Sequence, residues 1–227
     1  MRPGDALTPF TAVVPVKQFG RAKTRLSQDP ALRASLARAF AADVVASLRA
    51  ASMVSDVVVV VSRDTDELPN WGTEVHVLRE RAWSVGNGLN DAVWRGVAWC
   101  RRITPDRPVV VVPADLAALT PATVDDALVL AGSHELAHVA DATGHGTTLI
   151  TALDPRHLTG HYGPGSAHRH DAAGHTRLPG VDPRVRLDVD TAADLRAAVA
   201  LGVGPATATV IDRFGLRDAP HGRLQPI

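Results

Sequence analysis

The run from Pro108 to Leu119, PVVVVPADLAAL, constrains the fold more than any other part of this chain. Four consecutive valines bounded by prolines are too short for an amphipathic helix and too uniformly apolar for a half-exposed strand. They predict a strand buried on both faces of a parallel sheet. Such a strand ends near Pro113 and puts Asp115 at its C-terminal edge, where open α/β sheets carry their ligands. A second acidic pair, Asp188 and Asp190 in RLDVDTAADL, sits in another strand-like run, Arg184 to Asp190, whose period-two geometry points both carboxylates to one side. Three carboxylates from two strand ends could hold Mg²⁺ against a phosphate.

The other apolar runs complete an α/β pattern. Thr11 to Lys17 predicts a first strand, with Pro15 better suited to an edge or a strand end than to a central ladder. Ser55 to Ser62, Thr73 to Leu78, Leu136 to Ala140 and Leu149 to Leu153 predict further strands. Asp29 and Pro30 suit the cap and first residue of a helix, along which Leu32, Leu36, Phe40, Val44 and Leu48 recur at a spacing of four. A second helix runs through Arg102 from a start near Asn87, Gly88 and Asn90. There asparagine reads first as a cap and second as an amide for a purine or ribose edge. Trp94 and Trp99 in its body read as core or interface residues. Thr120 with Pro121, and Thr191 before a run ending at Leu201, open two more helices, and the segment after Gly202 adds a short one. The expected organisation is a loose leader (1–10), one domain (11–214) and a polar tail (215–227), in a chain of 227 residues long enough to bury a substantial core.

Charge and composition exclude several classes. Lys plus Arg and Asp plus Glu both number 24 and aromatics make up 4%, so the basic excess and stacking aromatics of a general nucleic-acid binder are missing. No apolar run approaches the ~20 residues that span a bilayer, and MRPGDALTPF lacks the apolar core of a signal peptide. A soluble, cytoplasmic protein is expected, with homodimerisation left open. Cys100 is the single cysteine, next to Trp99, and reads as a packed helical residue rather than a catalytic thiol.

The loops carry the remaining candidates. In QFGRAKTRLS, Lys17, Arg21, Lys23 and Arg25 crowd a short segment between the first strand and first helix. It is either a solvated turn or a phosphate-binding loop that matches neither a Walker A motif nor GxGxxG. Asp64 and Asp66 read as a solvated acidic loop. Gly144, Gly146, Thr147 and Thr148 form either an anion cradle or a hairpin turn. HYGPGSAHRH places Ser166 where a helix begins, after glycine, a natural seat for a phosphate or carboxylate. Five histidines between His157 and His175 raise a zinc reading, against which stands the lack of a cysteine pair or an HExxH motif.

VPVKQFGRAKTRLS, VVPADLAALT, GPGSAHRH and LDVDTAADL, taken in that order, resemble the 2-phospho-L-lactate or phosphoenolpyruvate guanylyltransferases of coenzyme F420 biosynthesis, over nearly the whole chain. The resemblance implies a single-domain α/β nucleotidyltransferase of GT-A-like, Rossmann-like architecture, with a mostly parallel central sheet flanked by helices. It also implies that GTP and a phosphorylated three-carbon acid meet over Mg²⁺. On the matching positions Asp115, Asp188 and Asp190 would be metal ligands. Lys17, Lys23 and Arg25 would meet the triphosphate, and with Asp115 would form the catalytic set. Thr148, Gly163 and Ser166 would hold the phospho-acid, and Asn90 would lie near the nucleoside. Many relatives read GTN where this chain has Gly146, Thr147 and Thr148, so a side-chain contact of that asparagine does not carry over. Another GT-A-like nucleotidyltransferase, of the molybdenum cofactor guanylyl- or cytidylyltransferase type, and a non-catalytic nucleotide-binding module are the alternatives. The motifs do not choose among phosphoenolpyruvate, 2-phospholactate and 3-phosphoglycerate, whose small differences are read by pocket shape.

Overall fold

Valine runs between turn residues form the strands, and capped apolar stripes form the helices. In chain order these are β1 (Phe10–Val16), α1 (Pro30–Ala50), β2 (Val54–Val61), β3 (Val75–Arg79), α2 (Gly88–Ile103), β4 (Val109–Val111), α3 (Pro121–Ala131), β5 (Leu136–Ala140), β6 (Thr147–Ala152), α4 (Ser166–Ala172), β7 (Thr176–Arg177), α5 (Pro183–Arg186), α6 (Ala192–Leu201) and α7 (Pro205–Arg213). They belong to a computed structural model that describes residues 8–16, 25–63, 65, 68–79 and 88–216. Lys17, Arg21, Lys23, Asp64, Asp66 and Asn87 lie outside the described residues.

The described strands make one sheet in the order β3-β2-β1-β4-β6-β5-β7. From β3 to β4 neighbours are parallel, β6 runs antiparallel between β4 and β5, and β7 pairs parallel with β5. Alternate valines feed two cores. Val14, Val57 and Val59 pack on the face covered by Val44 and Leu48 of α1 and Leu128 of α3, while Val13, Val58 and Val60 pack against Val93 and Val97 of α2. Burial of each such side chain is worth about 1.5–3 kcal/mol, which is why a continuous valine run is stable only with both faces covered.

Helix starts follow the capping chemistry of the sequence. Asp29 accepts from the N–H groups of Ala31 and Leu32 with Pro30 at the first turn, and Thr120 and Thr191 each close a capping box. At the N-terminus of α7 the buried Asp43 of α1 accepts from Ala206 N–H at 2.9 Å and Thr207 N–H at 2.8 Å, which fastens the last helix to the first. No described helix is long and apolar enough to cross a membrane.

Pro15 lies one residue from the end of β1, a central strand, so it takes the strand-end position it suits: after Val112 N–H donates to Val13 C=O at 2.9 Å, the next bond to β4 would need the N–H that proline lacks, and the ladder stops at the Val13–Val111 pair. Two expectations change. Phe10 belongs to β1 and is fully buried, with its N–H donating to Met53 C=O at 2.8 Å, so the leader stops short of it. Residues 184–190 are not a strand: Asp182 accepts from Arg184 N–H and Pro183 starts the short helix α5, while β7 takes the sheet edge on β5. Asp188 and Asp190 therefore lie outside the sheet, in a segment between α5 and α6 whose bounding residues, Leu187 and Thr191, have extended backbone.

Of the five histidines between His157 and His175, His170 and His175 belong to the core, where His138 of β5 joins them, while His157 and His168 are exposed and His161 is half-buried. His138, His170 and His175 are buried, and the His170 ring centroid lies 5.8 Å from that of His138 and 5.2 Å from that of His175. Burial first, then the neighbouring imidazoles, pushes His170 down to about 3, and burial likewise lowers His138 and His175. In the unfolded chain these rings take up protons at about 6.5. The unfolded state thus binds more protons than the folded one as pH falls below about 6.5, and stability is lost over that range, by up to about 1.4 kcal/mol per pH unit for His170 down to about 3, with His138 and His175 acting in the same direction. Thermal unfolding followed by circular dichroism should give a melting temperature that drops steadily from pH 7 to pH 4.5; a flat profile would contradict buried neutral histidines.

Candidate active site

One backbone hydrogen bond assembles the acidic group. Beyond β4 the chain runs through Pro113 to Asp115, whose carbonyl accepts from Val189 N–H at 3.1 Å. Val189 is fully buried beside Ala117 and Ala118, so in this extended segment the residues on either side, Asp188 and Asp190, turn the opposite way. The capping box of α6 anchors the end of the segment, because Asp194 accepts from the N–H groups of Asp190 and Thr191. One carboxylate oxygen from each of Asp115, Asp188 and Asp190 lies within 4.8 Å of the others, and all three residues are half-buried. Three anions this close repel one another unless a cation compensates them. An all-oxygen set of half-buried carboxylates is the donor chemistry of a hard divalent ion such as Mg²⁺.

These aspartates line a cleft of about 600 Å³. The antiparallel β6 supplies its other wall. Because β6 runs against β4, its first residues, Thr147 and Thr148, stand at the C-terminal edge of β4 together with Asp115. The hairpin before them is closed by Asp141, whose N–H donates to Gly146 C=O and whose carboxylate accepts from His145 N–H. Gly163-Pro164-Gly165-Ser166 also lines the cleft. Gly163 at φ 125° and Gly165 at φ 69° occupy conformations that a side chain would strain, which lets the chain turn directly into α4 at Ser166. His145 C=O accepts from Ala167 N–H at 3.1 Å and so joins this turn to the hairpin.

Asp115, Asp188, Asp190, Thr148, Gly163 and Ser166 share this one cleft, and Arg25 borders it with its guanidinium 3.8 Å from Asp190. That ion pair is largely exposed and contributes little to stability. Asn90 is the third residue of α2 and does not cap it. Its amide exchanges two hydrogen bonds with the Tyr162 backbone, donating to C=O at 3.0 Å and accepting from N–H at 2.9 Å. Sequence reasoning missed Tyr162, which is buried on the cleft. Burial, and then the charge of Asp115, push its phenol well above the ordinary range. Its being the single tyrosine, next to GPGS, was the available signal.

The glycine-threonine segment thus takes the hairpin reading and lines the cleft as well. Among the described residues the three aspartates form the one cluster placed to hold a metal, and the histidines form none. Burial raises the Cys100 thiol to about 12, which keeps it protonated and inert. Trp94 projects to solvent, and Trp99 packs partly against the core under α2, its ring 4.7 Å from that of His76 at a tilt of 39°.

Residues 10–220 match the family model described as "Guanylyl transferase CofC like". The chain is 45% identical over 211 residues to the phosphoenolpyruvate guanylyltransferase of Streptomyces coelicolor, covering 90% of this chain and 97% of that protein. Among solved structures, a 4-diphosphocytidyl-2C-methyl-D-erythritol synthase shares the fold with a TM-score of 0.59 at 16% identity, over 86% of this chain and 99% of that one. Rv0371c of Mycobacterium tuberculosis, solved in complex with manganese, has a TM-score of 0.50 at 22% identity, over 86% of this chain and 100% of that one. With a family match over most of its length and a relative at that identity, the chain belongs to the CofC-like guanylyl transferases.

Proposed function

We propose that the protein transfers GMP from GTP to phosphoenolpyruvate, releasing pyrophosphate, as a step toward coenzyme F420. The observation that carries this is the convergence of Asp115, Asp188 and Asp190 in a cleft that Thr148, Gly163 and Ser166 also line. The name of the Streptomyces coelicolor relative supports the choice of acid and nucleotide.

A phosphate oxygen of the acid attacks the α-phosphorus of GTP in line. The new P–O bond forms as the bond to the β-phosphate breaks, and the electron pair leaves with pyrophosphate. The nucleophile is already anionic, so the protein supplies alignment and charge neutralisation rather than a general base. Asp115, Asp188 and Asp190 would hold Mg²⁺, which when bound offsets the negative charge of the two phosphorylated reactants. Lys17, Lys23 and Arg25 meet the triphosphate and stabilise the departing pyrophosphate, consistent with Arg25 bordering the cleft. Thr148, Gly163 and Ser166 receive the phospho-acid. The nucleoside lies toward Leu89 at the start of α2, where Asn90 serves it by holding Tyr162 in place.

Asp188→Ala should lower GTP-dependent pyrophosphate release with phosphoenolpyruvate by roughly 10²-fold or more, the scale of losing one charge-stabilising group. Its melting temperature should stay close to that of the parent, since Val189 keeps its backbone bond. Near-normal release from this variant would overturn the assignment. Exhaustive chelation should abolish turnover and added Mg²⁺ should restore it; turnover that survives chelation would remove the cation from the reaction. Incubation with GTP and, separately, phosphoenolpyruvate, 2-phospholactate and 3-phosphoglycerate, with mass analysis of the products, should yield the guanylylated phosphoenolpyruvate. Product from another acid alone would correct the substrate, and GTP binding without pyrophosphate from any acid would favour a non-catalytic module.

A further inference from the structure

One buried imidazole joins the three segments that surround the proposed acid-binding side of the cleft. His170 is fully buried in α4, four residues after Ser166. Its Nε2 lies 3.0 Å from the backbone nitrogen of His161, at the head of the loop that carries Gly163. Its Nδ1 lies 3.0 Å from Thr147 Oγ1, at the start of β6. A backbone N–H is always a donor, so Nε2 must be the unprotonated, accepting nitrogen. The neutral ring then carries its proton on Nδ1 and donates it to Thr147 Oγ1. With its oxygen accepting from His170, the Thr147 hydroxyl has its own proton left to donate, and Thr147 lines the cleft.

The geometry points to His170 as a positioning residue that orders a donor chain, His161 N–H to His170 to Thr147, ending in a hydroxyl proton aimed at an anionic group of the bound phospho-acid. Thr147 is thereby a substrate-binding residue beside Thr148. This rests on the guanylyl-transfer reading for the identity of the anion, whereas the direction of the chain rests on the hydrogen bonds alone. Burial of the ring keeps it neutral throughout the working pH range, so the chain holds one orientation. The same ring also orders the loop, which is held besides by Asn90 on Tyr162 and by Arg169, whose guanidinium donates to His161 C=O.

The test uses the full chain, with Thr147→Val, Thr147→Ser, His170→Phe and the Thr147→Val/His170→Phe double variant, and steady-state pyrophosphate release as readout. Thr147→Val keeps the shape and deletes the hydroxyl. It should raise KM for phosphoenolpyruvate about 10- to 100-fold, the scale of a hydrogen bond to a charged group, while KM for GTP moves less than about twofold. His170→Phe should act in the same direction, and Thr147→Ser should restore most of the loss. The double variant should be little worse than the worse single, because both remove one chain. A uniform fall in kcat with both KM values unchanged, or a loss confined to the melting temperature, would overturn the proposal; if His170→Phe does not fold, Thr147→Val and Thr147→Ser decide. Nitrogen-15 correlation spectra of histidine-labelled protein provide a readout independent of activity. His170 protonated at Nδ1 and bare at Nε2 supports the chain, and the opposite tautomer overturns it whatever the reaction. Absence of pyrophosphate from the parent protein with every phospho-acid would instead defeat the functional reading, with the tautomer still deciding the direction of the chain.

Discussion

The site depends on a single backbone contact, the donation from Val189 N–H to Asp115 C=O at 3.1 Å. It crosses between two segments that are far apart in sequence and belong to no common strand ladder. Alternation does the rest: with Val189 driven into the core, the carboxylates before and after it can face only the cleft, where Asp115 already stands. Two forces divide the work. Apolar burial of Val189 and the valines of β4 fixes positions, while the like charges of the three aspartates oppose the arrangement and favour a cation among them.

The second dependence is on a reversal in the sheet. Four parallel strands present only their C-terminal ends to the cleft, as in any open α/β sheet. Inserting β6 antiparallel to β4 brings the beginning of a strand, with Thr147 and Thr148, to the same edge. The β5–β6 hairpin and the turn into α4 then lean over that edge, tied together by His145, His170 and Asn90. The polar groups of this wall are joined mainly to backbone atoms of neighbouring segments, which makes it a rigid receptor rather than a set of independent loops.

Much of this is legible in the sequence. The valine runs, the caps at Asp29, Thr120 and Thr191, and the stripe on α1 each state their own local structure, because capping and periodicity act over a few residues. The acidic alternation around Val189 is legible for the same reason, although the segment is extended without joining the sheet. Pro15 falls near the strand end it suits, whereas Pro183 starts a helical turn where an alternating pattern alone reads as strand.

The residue types and much of the local geometry of the site were therefore set by the sequence on its own: which positions are acidic, which turns need glycine, where the capped helices begin. What only the folded chain decided is which partners meet. Asn90 reads as a cap until Tyr162 is placed against it, and His170 as one member of a histidine-rich run until Thr147 and His161 close on its two nitrogens. The reason is that hydrogen-bonding direction and burial belong to pairs of groups, and these pairs lie across long stretches of chain that no local pattern records.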